Sequence, residues 1–350
     1  MSVVGGRRPV VPAVLGAACI SSSAVVMRLA GSSASMTALG RCGIALPVLA
    51  LLAWRERRRG TARLTWRGRG LAWAAGAFLA ADLIVWSHSI ADIGAGLGTV
   101  IGNLQVVIVT LLAWAVLGER PRRSLLIALP VMACGLVLVG GLTGSGAYGA
   151  HPGLGVALGI GVAALYSVYI LMLRQATTHH APPPGRTPPP GNRPAAGRTP
   201  PPGNAPPAGN TPAERAPVVD SLFQATLGAT AGSVVLGLAL RDFRLGPAWP
   251  ALGWLALLAL TSQVLGWLLI TTSMPRLPAW LVSALLLIQP VGSVGLSAAF
   301  LGERPSLPQL AGVALMLAGV LIAASGRRRS AAVRPQAASP SLEQPAGDPG

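Results

Sequence analysis

Ten runs of predominantly apolar residues dominate this chain, each close to the length of about 20 that carries a helix across a bilayer. They fall at 10–30, 35–54, 71–91, 94–117 and 122–142, then at 153–173, 218–240, 249–273, 279–301 and 307–325. These runs are too long and too many for one large soluble core. Only 11% of the 350 residues are charged, against about 25% in soluble domains. The mean hydropathy is +0.60. The expected fold is an all-α polytopic membrane protein of about ten transmembrane helices. Arg7 and Arg8 precede the first run, but that run is long enough to span and others follow it. It reads as a first transmembrane helix, not as a signal peptide.

The formal net charge is +17, and every cation is arginine. In a soluble chain this balance would point to nucleic acid. Here the arginines sit in short clusters between apolar runs, so no nucleic-acid partner is expected. With ten crossings, 22 arginines fall on one face of the membrane. Three, Arg241, Arg244 and Arg304, fall on the other, and Arg28 and Arg41 lie inside runs. Arginine collects in cytoplasmic loops. The expectation is a multi-pass protein of the cell (plasma or inner) membrane with both termini cytoplasmic. Cys19, Cys42 and Cys134 lie inside apolar runs without metal-ligand spacing and read as small buried residues.

Residues 181–217 are of another kind. They are rich in Pro, Gly, Ala, Asn and Arg, and the octet Gly-Arg-Thr-Pro-Pro-Pro-Gly-Asn occurs at 185–192 and again at 197–204. Such a composition cannot bury enough surface to fold, so a disordered cytoplasmic linker is expected there. The tail, 326–350, reads the same way.

The chain also repeats itself. At a shift of 184 residues, Leu117-Gly118-Glu119-Arg120-Pro121 falls on Leu301-Gly302-Glu303-Arg304-Pro305. Gln105 falls on Gln289, Met132 on Met316 and Gly135 on Gly319. The register points to duplication. One half covers 1–142. The other covers 153–325, interrupted by the linker. Five is an odd number of crossings, so the second half enters the membrane inverted, an architecture of secondary transporters.

With these features the chain resembles the EamA-type transporters of the drug/metabolite transporter superfamily. The resemblance rests on two five-span halves, the Leu-Gly-Glu-Arg close of spans four and nine, Arg41 in Thr37-Ala38-Leu39-Gly40-Arg41, and the Gly-rich last span of each half. It implies export or exchange of small metabolites, often amino acids or toxic compounds. The chain departs from the family in its long linker. It also lacks the span-one glutamate of the small multidrug relatives, which puts their style of proton coupling in doubt.

Polar residues inside the runs are the candidate site, because a polar group in the bilayer is costly to keep. Gln105 and Gln289 sit halfway along equivalent spans, and an amide offers donors and an acceptor suited to a neutral or zwitterionic metabolite. Pro290 frees a carbonyl beside Gln289, while Gly102 and Asn103 loosen the helix before Gln105. The alternative is that both glutamines are interhelical glue. Trp86, Tyr166, Tyr169, Gln263 and Trp267 are candidates to line the same cavity, or to pack or face lipid. Asp82 and Arg41 lie at depths of about 13 Å and about 9 Å from the outer helix ends at 1.5 Å per residue. A salt bridge between them either locks two spans or serves proton coupling or substrate contact. Arg28, His88 and Asp92 suit snorkelling and an interfacial ion pair, with His88 as a proton relay the alternative, and Glu119 and Glu303 suit pairing with neighbouring arginines at the membrane surface.

The function these features favour is secondary transport of a small organic metabolite, amino acid-like or drug-like, by alternating access, in the efflux direction. An enzyme is not expected: the acids are scattered, and no HExxH or GxSxG motif occurs. No Walker-type loop occurs either. No cofactor or metal is expected. The alternative is a non-transporting scaffold or sensor acting through the Pro-rich linker. Gly- and Ala-rich helix faces permit a homodimer as well as close packing within one chain.

Overall fold

A computed structural model of the chain describes residues 7–59, 61, 63–118, 123–140, 151–178, 180–181, 217–242, 249–273, 285 and 287–325. Most of the linker, the tail after Ser325, Glu119 and Arg276 lie outside the described residues. The described part is almost wholly helical. In the first half the helices are α1 (Arg7–Ser21), α2 (Ser23–Ala30), α3 (Ala34–Arg58), α4 (Trp66–Ile93), α5 (Ala95–Gly102), α6 (Gln105–Leu117) and α7 (Arg123–Val139). In the second they are α8 (Pro152–Thr178), α9 (Val218–Ala239), α10 (Ala251–Leu258), α11 (Trp267–Ser273), α12 (Ile288–Leu301) and α13 (Leu307–Ser325). A π-helical segment, Ala259–Gly266, joins α10 to α11. Two short strands, β1 (Arg63–Leu64) and β2 (His180–Ala181), pair antiparallel. Ala181, expected to open the linker, is thus held against Arg63.

Seven helical segments are long and apolar enough to cross a membrane: Val10–Ala30, Ala34–Arg58, Trp66–Ile93, Ala95–Val116, Pro152–Thr177, Val218–Ala239 and Ala251–Ile270. Three shorter apolar helices, Arg123–Val139, Ile288–Leu301 and Leu307–Ala323, coincide with the expected spans five, nine and ten. The flanking residues 119–122, 274–284 and 326–350 lie outside the described ones. Large apolar side chains face outward along these helices, as Leu126, Val235 and Phe300 do. That suits hydrocarbon as the solvent, where every backbone polar group must be satisfied within a helix.

The helix boundaries follow from local chemistry. Ser33 and Thr65 cap α3 and α4 by accepting from the Met36 and Gly68 N–H groups. Gly118 and Gly302, equivalent in the two halves, end α6 and α12 in the left-handed conformation. Two spans are interrupted mid-membrane. The serine run 21–23 separates α1 from α2, its hydroxyls donating to carbonyls of the preceding turn. A turn at Asn103 and Leu104 separates α5 from α6.

Helix α4 packs against both α8 and α9, and α9 also packs against α3. Several contacts come in reciprocal pairs. Where α7 meets α13, a Cβ on Gly135 would lie 2.7 Å from Met316 Cγ, and Gly319 likewise packs against Met132. These are the four residues that the internal repeat superimposes. The ends of α3 and α9 cap one another: the Glu56 carboxylate accepts from the N–H groups of Val219 and Asp220, and that of Asp242 accepts from Ser35 N–H.

Candidate functional site

A cavity of about 270 Å³ lies among helices from both halves. Helix α4 contributes Asp82 and Trp86, and α3 contributes Arg41. The interrupted fourth span contributes Thr99, Gly102, Asn103 and Gln105. From the second half come Tyr166 of α8, Gln263 of the π-helical segment, Trp267 of α11 and Gln289 of α12. Ser23, at the break in span one, completes the polar lining. All eight residues expected at the site, Gln105, Gln289, Asn103, Trp86, Tyr166, Trp267, Asp82 and Arg41, therefore border one space.

The two glutamines sit where helices restart. Gln105 opens α6 after the Asn103–Leu104 turn, and Gln289 is the second residue of α12. A serine from the other half holds each restart. Ser21 Oγ lies 3.1 Å from the Ile288 carbonyl and 2.8 Å from that of Ala17. Ser167 Oγ lies 3.3 Å from the Gln105 carbonyl and 2.6 Å from that of Ala163. Among the described residues, neither glutamine side-chain amide has a hydrogen-bond partner. The Asn103 amide donates to the Thr99 carbonyl.

Arg41 and Asp82 do not make the expected ion pair among the described residues. Arg41 is 7% exposed, and its Nε donates to Gln263 Oε1 at 3.1 Å. Gln263 Nε2 in turn donates to Thr226 Oγ1 of α9. Gln263 lies in the π-helical segment, out of α-helical register. Asp82 is 4% exposed, and its Oδ1 has no hydrogen-bond partner. A buried cation and a buried carboxylate thus border the same cavity without satisfying each other. Tyr169, a further candidate, is fully buried behind the wall with its ring centroid 5.4 Å from that of Tyr166.

Two expectations near the membrane surfaces are also corrected. Among the described residues Arg28, His88 and Asp92 form no ion pair with one another. Glu303 does not pair with a neighbouring arginine. Its buried carboxylate accepts from the N–H groups of Ala95, at 2.7 Å, and Gly96, at 3.1 Å. It caps α5 from 208 residues away. Sequence gave no sign of this partner, or of Ser21, Ser23, Ser167 and Thr99. Small hydroxylated residues inside apolar runs look alike until the packing is known.

Apolar helices around a central, largely apolar cavity with a few polar groups, its walls drawn from both halves of the chain, make this a helical membrane protein by class. The model of the EamA-like transporter family matches residues 8–141 and again 212–325, more than half of the chain, so the chain belongs to that family. Helix α8 and most of the Pro-rich segment fall between the two matches. No curated protein matches the sequence. Among solved structures 24 chains match. One crystal structure aligns with a TM-score of 0.55 at 16% identity, over 92% of this chain and 98% of that one. At that identity the likeness speaks to the fold alone.

Proposed function

We propose that the chain is a ten-span secondary transporter whose two halves are inverted repeats about the cavity, and that it moves a small zwitterionic or neutral organic metabolite by alternating access. The observation that carries this reading is the pair of glutamine amides, equivalent in the repeat, that border the cavity from opposite halves without a hydrogen-bond partner among the described residues. An unpaired amide in a low-dielectric site costs free energy unless a ligand or water satisfies it. Arg41 and Asp82 offer a separate cation and anion to a ligand that carries both charges. Trp86, Tyr166 and Trp267 give aromatic faces to its organic part.

The inverted arrangement is supported by reciprocity. When two copies of a unit are related by a twofold axis, residue i of one meets j of the other, and j meets i. Gly135 with Met316 and Gly319 with Met132 follow that rule. The mutual caps of α3 and α9, the second and seventh spans, are in keeping with it. Seven long spans and three short apolar helices are in keeping with ten crossings. With ten crossings, the arginine distribution supports termini that both face the cytoplasm. Efflux is the direction that resemblance to the family favours.

Alternating access is tested with Thr99→Cys in a chain whose three native cysteines are replaced. Reconstituted in vesicles, this cysteine is expected to react with membrane-impermeant maleimide added from either face, in different molecules of the ensemble. Reaction from one face only, under every ligand condition, would rule out alternating access at this cavity.

A further inference from the structure

The connection between α3 and α4 carries seven arginines between residues 55 and 69, and one acid, Glu56. The structure sorts these charges. Glu56 turns inward and caps α9, and Arg57 turns inward to Asp220 at 2.5 Å. Arg55, Arg58, Arg59, Arg63, Arg67 and Arg69 all remain exposed. The outward face of this connection is therefore positive, its one carboxylate withdrawn.

Two of these arginines are stacked on exposed indoles. The Arg58 guanidinium lies 3.9 Å from the ring centroid of Trp54, which is 47% exposed. That of Arg67 lies 5.2 Å from the ring centroid of Trp66, which is 77% exposed. Both tryptophans sit at helix ends, at the level where indoles favour the membrane–water interface. Stacking fixes the guanidinium plane and leaves its N–H edge free, the geometry that receives a phosphate in bidentate fashion. The β1–β2 pairing holds the loop between the two stacks in place.

We infer that this face is a binding surface for anionic phospholipid, with Arg58 and Arg67 holding the headgroup phosphodiester and Trp54 and Trp66 lying against the glycerol and upper acyl region. Lipid, not a soluble phosphate, is the occupant, because the apolar half of each stack adjoins the end of a spanning helix. The inference does not depend on what the central cavity carries.

The full chain, reconstituted in phosphatidylcholine vesicles, is titrated with dibrominated phosphatidylglycerol, and tryptophan quenching is read against dibrominated phosphatidylcholine at the same mole fraction. Phosphatidylglycerol is expected to quench more strongly, and Trp54→Phe with Trp66→Phe is expected to remove that excess. Arg58→Gln with Arg67→Gln should weaken its apparent binding about 25-fold, at about fivefold for each charge removed. Equal quenching by the two lipids would overturn the inference. So would an excess that survives the double arginine substitution, since the attraction would then be a general field. Loss of the excess in millimolar inorganic phosphate, at constant ionic strength, would show a soluble-phosphate site instead.

Discussion

Among the described residues Arg41 is buried with one side-chain acceptor, which makes Gln263 a determinant of stability as well as of site geometry. Gln263→Leu keeps the volume roughly and removes the acceptor. Hydrogen bonds to charged groups are worth about 1.5–3 kcal/mol, so the thermal midpoint should fall by the equivalent of that amount. Gln263→Glu supplies a charged acceptor and should restore most of it. No change in midpoint for Gln263→Leu would mean that Arg41 finds water or another acceptor. The glutamines of the cavity were legible in sequence because duplication marks them: Gln105 and Gln289 fall on one another when the halves are aligned. Gln263 was legible only as one candidate among several. The π-helical register in which it lies leaves no mark on an apolar run. The expected Arg41–Asp82 pair, argued from depth alone, gave way to Arg41–Gln263.

At the scale of elements, Glu303 and the α7–α13 seam matter most. Gly94 joins α4 to α5 with φ of +96°, and a Cβ there would lie 3.0 Å from Glu303 Oε1. Glycine is needed on both counts. Glu303→Ala would leave two buried N–H groups of α5 unsatisfied, at a cost of about 1–3 kcal/mol each. A clear fall in thermal midpoint is expected, smaller for Glu303→Gln, which can still accept. An unchanged midpoint in Glu303→Ala would show that water replaces the carboxylate. Across the seam, Gly135→Val should destabilise by overpacking, and Met316→Ala in the same chain should recover part of the loss. Strictly additive effects would contradict the contact. The Leu-Gly-Glu-Arg motif was visible as a repeat that closes spans four and nine. The partner of Glu303 was not visible, because nothing near position 303 in the chain points to Ala95.

For the whole molecule, the apolar runs carried almost all of the fold. Seven of the expected spans coincide with helices long enough to cross a membrane, and spans five, nine and ten coincide at least in part with shorter apolar helices. The turn in span four falls where Gly102 and Asn103 were expected to loosen the helix; the serine break in span one was harder to read, since it depends on hydroxyls competing with the helix ladder. The Pro-rich segment is expected to be dispensable for transport. A chain lacking residues 182–211 should exchange substrate across vesicles at close to the full-length rate, and a loss of exchange in a folded protein would assign the segment a working role. The central claim, that the two glutamines bind the transported molecule, is tested most directly by melting the purified protein against amino acids, nucleobases, sugars and lipophilic cations. Gln105→Ala and Gln289→Ala run alongside. A ligand at 100 times its dissociation constant stabilises by about 2.7 kcal/mol. The account predicts that one ligand class, zwitterionic or neutral, raises the midpoint of the native chain and that both variants, still folded, lose most of that shift. An equal shift in all three proteins would place the ligand elsewhere and contradict the account.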